Sequence, residues 1–153
     1  MLGWALRRLR NFTITNAAGE PYLRRYYLVQ TRWGSVYLHE IMRSDEDRDL
    51  HDHPWNFVSL VLRRGYTEHL LGGHTRYCGF SRVIFHRAED AHKVELSGTG
   101  TTWTLVIVGR KRRDWGFVTS NGWVQHEQYF DQKYGSGKWV QEPEYQGLKQ
   151  YMD

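Results

Sequence analysis

From Tyr22 to Gly109 the chain alternates short apolar or aromatic runs with turn signals. That spacing predicts an antiparallel sandwich or barrel. Residues 22–30 and 35–42 flank Arg32-Trp33-Gly34 and read as a hairpin. Residues 43–49 are too polar for a core and deliver the chain into His51-Asp52-His53-Pro54. Residues 57–62 form an apolar strand interrupted only by Ser59, and Arg64-Gly65 is expected to turn it into a partner strand over 66–71, ended by Gly72-Gly73. Residues 81–86 and 93–96 flank a polar turn at 87–91. Residues 101–108, rich in Val, Ile, Thr and Trp, are the clearest strand. Residues 115–119 add one more, and residues 124–134, with Val124, Phe130 and Tyr134 as their apolar positions, predict a short helix. The closing segment 135–153 is expected on the surface, anchored by Trp139, Val140, Tyr145 and Tyr151.

Composition narrows the class. A chain of 153 residues is the size of one domain, read as a barrel over about 22–119 with an extension over 120–153. Aromatic residues make up 15% of it, seven of them Trp and ten Tyr, which favours strands. A single cysteine, Cys78, excludes a disulfide-stapled fold and fits a reducing compartment. No stretch approaches the roughly 20 apolar residues of a membrane span, and the first ten residues lack a signal-peptide pattern. The expectation is a cytoplasmic protein. The net charge of +4 is mild. Its clusters, Arg7, Arg8 and Arg10 and then Arg110 to Arg113, permit phosphate contacts, but no recognition motif accompanies them, so nucleic-acid binding ranks third among the functions considered.

The candidate chemistry lies in the histidines. His51 and His53, two apart in an extended segment, project from one face about 6.6–7 Å apart. A third ligand must come from another strand, and His92, after the 87–91 turn, is the candidate. Three such ligands leave open positions and suit Fe(II), Mn(II), Ni(II), Cu(II) or Zn(II). The plain alternative is two half-exposed loop histidines.

Read together, His51-Asp52-His53, a following strand and Gly65, then the turn ending at His92 and a final apolar strand resemble the small single-domain cupins. The resemblance covers about residues 22–116. The phrase His51-Asp52-His53-Pro54-Trp55-Asn56-Phe57 is similar to uncharacterised bacterial and phage-type members. It implies an all-β jelly-roll barrel, here with a short C-terminal helix, whose interior carries the metal ligands His51, His53 and His92. Two departures stand out. The family's usual glutamate falls at Val58, and the second motif lacks its Pro-x-Gly turn and has Leu96 at its later asparagine position. A site of three histidines resembles that of thiol dioxygenases, whose neutral ligands leave the ion's charge to an anionic substrate. Cys78 stands away from their cross-linking position.

Around this set, Glu40, Glu68 and Glu95 are expected as solvated strand charges, with no carboxylate ligating the ion. Glu68 is retained beside His39 and His86 as a candidate for moving a proton or orienting substrate. Arg25, Tyr37, Trp55, Asn56 and Trp103 are candidates for shaping a substrate pocket, the arginine recognising an anion and Asn56 orienting its loop. His69, His74 and His126 sit in polar contexts and are expected at the surface. These readings favour an oxygenase that uses Fe(II) or another divalent metal on a small anionic substrate. A non-catalytic barrel binding a sugar, an anion or a protein, and a metal-dependent isomerase or hydrolase, are the alternatives. The resemblance further implies a homodimer.

Overall fold

The computed structural model describes residues 9–15 and 19–135. Twelve strands and one helix follow in order: β1 (Asn11–Thr15), β2 (Pro21–Thr31), β3 (Gly34–Ile41), β4 (Leu50–His51), β5 (Phe57–Arg63), β6 (Tyr66–Leu70), β7 (Thr75–Cys78), β8 (Val83–His86), β9 (His92–Leu96), β10 (Thr102–Gly109), β11 (Gly116–Thr119), β12 (Gly122–Gln125) and α1 (His126–Tyr134). They form two six-stranded sheets, ordered β1-β2-β3-β10-β5-β8 and β12-β11-β4-β9-β6-β7. All pairings are antiparallel. Among the described residues no helix is long and apolar enough to cross a membrane.

Side chains alternate across each strand, so one face of each sheet looks inward. Thr102, Thr104, Val106 and Val108 of β10 are buried. Their partners Ile41, His39, Tyr37 and Ser35 on β3 project to the same side. Two apolar clusters fill the interior. Tyr27, Tyr37, Phe57, Val106 and Val108 form the first, with Phe12 and Trp55 against it. Val61, Tyr66, Cys78, Ile84 and Val94 form the second, with Leu96 beside it. Burying one such aliphatic side chain contributes about 1.5–3 kcal/mol.

The outward face of the first sheet is also apolar. Val36, Ile107, Val58 and Phe85 lie in one row across four strands, and Leu38, Leu105, Leu60 and Val83 in the next. Ile107, Val83 and Phe85 are more than half exposed.

The hairpin around Arg32-Trp33-Gly34 forms as expected, with Leu23 opposite Ile41 and Thr31 opposite Gly34. The expected pairing of 57–62 with 66–71 does not. β6 pairs with β7 and β9, so Arg64-Gly65 carries the chain from one sheet to the other. Arg64 adopts φ 59°, and a Cβ on Gly65 would lie 2.8 Å from the Cys78 carbonyl oxygen. That close approach of β6 to β7 requires glycine. β1, β4, β7 and β12 were not expected. Val124 belongs to β12, and the helix begins at His126. Segment 136–153, with Trp139, Val140, Tyr145 and Tyr151, lies outside the described residues, as do Arg7 and Arg8.

Cys78 is fully buried, and burial, with the nearby Glu68 charge, pushes its thiol up to about 11. A neutral, enclosed thiol is a poor nucleophile. Cys78 should therefore resist Ellman's reagent at pH 8 in the native protein and react stoichiometrically in denaturant. Rapid native labelling would contradict the packing described.

Candidate metal centre

The strand pattern brings two distant histidine segments face to face. β4 is only two residues long, and its His51 pairs directly with His92 of β9. His51 also lies opposite Phe117 of β11. His53 follows in the next segment, where its N–H donates to the Ala88 carbonyl at 3.0 Å. Ala88 N–H in turn donates to Asn56 Oδ1 at 2.8 Å, stitching the two loops together. The three imidazoles form a near-equilateral triangle, with ring centroids 5.1, 5.1 and 5.0 Å apart. One nitrogen from each lies within 4.8 Å of the others, and His53 Nε2 is 2.9 Å from His92 Nε2.

Asp52, between the two histidines, must point the other way, because neighbouring residues of an extended chain face opposite sides. It is buried and accepts hydrogen bonds from Gly116 N–H (2.7 Å), Arg113 (2.6 Å) and Trp123 Nε1 (2.8 Å). A Cβ on Gly116 would lie 2.1 Å from the Val124 carbonyl oxygen, so glycine is required where β11 passes β12. Asp52 thus locks the histidine segment to that hairpin.

Glu68 corrects the expectation of a solvated strand charge. It is fully buried, because on β6 it faces inward toward β9 and β8. Its Oε1 lies 3.1 Å from His92 Nδ1 and 3.0 Å from His86 Nε2, and Oε2 accepts two bonds from Arg76 at 2.5 and 3.0 Å. Burial alone would raise its pKa, but the hydrogen bonds and electrostatic attraction of His86 and His92 together outweigh it and hold the carboxyl far below the usual carboxylate range. A carboxylate only accepts, so the network assigns the proton of His92 to Nδ1 and leaves a lone pair on Nε2, aimed at His53. Glu68, His86 and His92 also lie within ligand range of one another. With Arg76 neutralising the carboxylate, that group is a hydrogen-bond hub.

The protonation states suit a cation. Burial, and then repulsion from the surrounding imidazoles, holds His53 well below the usual imidazole range. In His92 burial outweighs the raising effect of Glu68. Neutral imidazole is the form that binds metal. The His92 Nε2 lone pair takes a proton from His53 Nε2 across 2.9 Å in the metal-free site or turns to an ion in its place, and the His51 nitrogen completes a donor set that fits a divalent ion. Phe57, not a carboxylate, packs edge-on against His53 at 4.7 Å, and its neighbour Val58 faces the outer side of the sheet.

The triangle borders a cavity of about 280 Å³, lined also by Arg25, Tyr37, His39, Trp55, Phe57 and Trp115. Arg25 Nε donates to His39 Nε2 at 3.0 Å, and its guanidinium lies 4.8 Å over the Tyr37 ring. Other candidates fall elsewhere. Trp103 faces the outer side of its sheet and stacks on Tyr26, because inward positions on β10 are the even-numbered ones. Asn56 ties loops and does not line the cavity. His86, expected beside the cavity, is stacked on Phe57 at 4.7 Å and turned toward Glu68. His126, expected at the surface, is buried against Trp115 with ring centroids 4.4 Å apart. Arg76 and Asp52 escaped notice. Strict alternation through Thr75–Cys78 was the only signal for Arg76, and the inward pair of histidines was the signal for Asp52.

His39 supplies a pH test. Burial and then the adjacent Arg25 charge hold its pKa well below its usual value. The unfolded chain therefore binds a proton near pH 6.5 that the folded one refuses, and stability falls as pH drops below that value. His53, His92 and His126 act in the same direction. Urea midpoints from pH 7 to 5 should decline in the parent, and His39→Gln should flatten the slope by up to about 1.4 kcal/mol per pH unit.

No family model matches the sequence, and no curated protein matches it. Solved structures do match the fold. A cupin-2 domain from Rhodospirillum rubrum is 11% identical, with 74% of this chain and 78% of that one covered and a TM-score of 0.61. A structure of Fe(II) HppE is 13% identical, covers 67% of this chain and 57% of its own, and has a TM-score of 0.57. Hydroxypropylphosphonic acid epoxidase from S. wedmorenis is 14% identical over 65% of this chain and 55% of that one, with a TM-score of 0.53. The chain thus spans just over half the length of these two enzyme structures. Its fold is that of a small cupin, a double-stranded β-helix with one short C-terminal helix.

Proposed function

We propose that the chain binds a divalent transition metal through His51, His53 and His92 and uses it to oxidise a small anionic substrate with dioxygen. Fe(II) is the preferred ion; Mn, Ni, Cu or Zn would fit the same donors. One observation carries the reading: three imidazoles, at least two of them held neutral, meet at the wall of a cavity that also contains Arg25. The solved structure of an Fe(II) form of HppE on the same fold supports the choice of iron.

When bound, the ion supplies a Lewis-acidic centre with open positions for dioxygen and substrate. The chain's residues supply the rest. Three imidazole ligands bring no charge of their own. Among the described residues the one acidic group lining the cavity, Asp45, lies 3.8 Å from His51 Nδ1 and is engaged by Val94 N–H and the Tyr22 hydroxyl. An anionic substrate is therefore favoured to balance the ion. Arg25 would hold that anion, its guanidinium fixed by His39 and by the face of Tyr37. His39 therefore serves to position Arg25. Leu23, Ile41, Val106 and Phe57 line the cavity and exclude bulk water. Glu68 and His86 act as positioning residues, since Glu68 fixes the proton of His92 and His86 helps to hold Glu68.

We also read the protein as a homodimer joined through the outer face of the first sheet. The two apolar rows there support this, because an apolar sheet face can pack on its own copy about a two-fold axis.

Calorimetric titration with Fe(II) under anaerobic conditions, or with Mn(II), should show one site per chain. Glu68→Gln should weaken it about 10–100-fold, and His51→Ala or His92→Ala should weaken it more, with circular dichroism unchanged. Metal affinity equal to the parent in both histidine variants would refute the site. Oxygen uptake by the Fe(II)-loaded protein, screened against small carboxylates and phosphonates, should depend on Arg25. Light scattering should give twice the chain mass for the parent and the chain mass for Phe85→Glu combined with Ile107→Glu. A monomeric parent would remove the dimer.

A further inference from the structure

None of the basic run at residues 110–113 lines the histidine cavity. Arg113 is tied to Asp52. Arg110 and Lys111 instead line a second recess of about 280 Å³, together with Arg32, Trp33, Ser35 and Trp55. Three cationic side chains and no acidic one line this recess. It abuts the histidine cavity, because Tyr37, Trp55 and Val108 line both.

The recess is held in place by the backbone that carries the histidines. Gly109 N–H donates to the Asn56 carbonyl at 2.9 Å, and Arg112 N–H donates to the Pro54 carbonyl at 2.8 Å. The loop bearing Arg110 and Lys111 is therefore bonded directly to the segment that follows His53. On the other side, the Arg32 guanidinium lies 4.7 Å over the Trp33 ring, which gives a long side chain a defined seat beside the hairpin turn. Lys111 is paired with Asp114 at 3.0 Å, so the attraction for an anion falls chiefly to Arg32 and Arg110. Along β3, Ser35, Tyr37 and His39 face the same side at about 7 Å per two residues, so the recess and the Arg25–His39 pair are separated by roughly 13 Å.

We propose that this recess is a second anion subsite, which holds a phosphate or phosphonate group of an elongated substrate whose other, reacting end lies in the histidine cavity and carries the anionic group that meets Arg25. The inference rests on the oxidative reading of the metal centre for the fate of the ligand, but not for its binding. Guanidinium forks match the tetrahedral oxygens of a phosphoryl dianion, and the two tryptophans would flank the connecting body of the molecule. The spacing selects a substrate with its phosphate or phosphonate group several bonds from the oxidised carbon. A compact substrate such as a two-carbon acid could occupy only one of the two compartments.

The test uses inorganic phosphate and pyrophosphate on the full chain, first stripped with chelator and then loaded with Mn(II). Binding is followed by tryptophan fluorescence and by equilibrium dialysis at low salt. Saturable binding in both forms is expected. Arg32→Ala combined with Arg110→Ala should weaken it at least about tenfold, while Arg112→Ala, an exposed neighbour outside the recess, should leave it unchanged. Mn(II) affinity should be the same in all three proteins. Non-saturable binding, equal losses in the Arg112 variant, or an undiminished affinity in the double variant would overturn the subsite. So would binding of a single-stranded oligonucleotide that phosphate does not displace, because the basic run would then serve a polymer. Phosphate binding without Mn(II) binding would refute the metal reading and leave the anion subsite standing.

Discussion

A single strand register governs the molecule. His51 and His92 are 41 positions apart by their numbers, yet they are direct partners across β4 and β9. β4 has only two residues with which to hold that alignment. Slipping the pairing by one residue would turn His92 out of the interior, since strand side chains alternate with a period of two. The alignment is over-determined from outside the strand. His53 bonds to Ala88, Asn56 bonds to the same residue, and Asp52 bonds to Gly116. A short strand is kept in register by its neighbours' hydrogen bonds.

Behind this register lies a buried polar network of unusual depth. Glu68 is removed from water altogether and must recover its solvation from Arg76, His86 and His92. Taking charges out of water costs several kcal/mol per ion, which only good geometry offsets. The return is orientation: each imidazole of the pair His86 and His92 donates to the same carboxylate oxygen, and His92 is left with its other nitrogen directed at His53. The polar interior thus converts the location of a histidine into a direction for its lone pair.

Much of this was legible from residue order, and the failures have physical causes. Turn residues and apolar runs marked β2, β3, β5, β10 and α1 to within a few positions, because each is long enough for periodicity to register. β6, β8, β9 and β11 were marked as well, at four or five residues each, by apolar runs between turn residues, whereas β4 has only two residues, β7 is largely polar and β12 overlaps the stretch read as helix. Arg64-Gly65 read as a hairpin turn because local sequence cannot distinguish a turn within a sheet from a step between sheets. The trio His51, His53 and His92 stood out by spacing and resemblance. Glu68 did not, since a carboxylate on a strand looks the same whether it faces solvent or three hydrogen-bond donors. Trp103 was misjudged for the same reason, as parity along β10 decides which side of the barrel it faces, and parity needs a known register. His86 does face inward, but its ring is turned to Glu68 and Phe57 and does not line the cavity.

The Asp52 anchor joins pieces that function would otherwise leave separate. Its carboxylate holds the β11–β12 hairpin through Gly116 and Trp123, and through Arg113 it holds the basic loop. Detaching that hairpin, or peeling away the loop, would expose a buried carboxylate and release the segment that carries both His51 and His53. Rim, hairpin and ligand segment must therefore open as one cooperative unit, and amide exchange in all three is expected to share a single opening free energy instead of fraying from the hairpin tip inward.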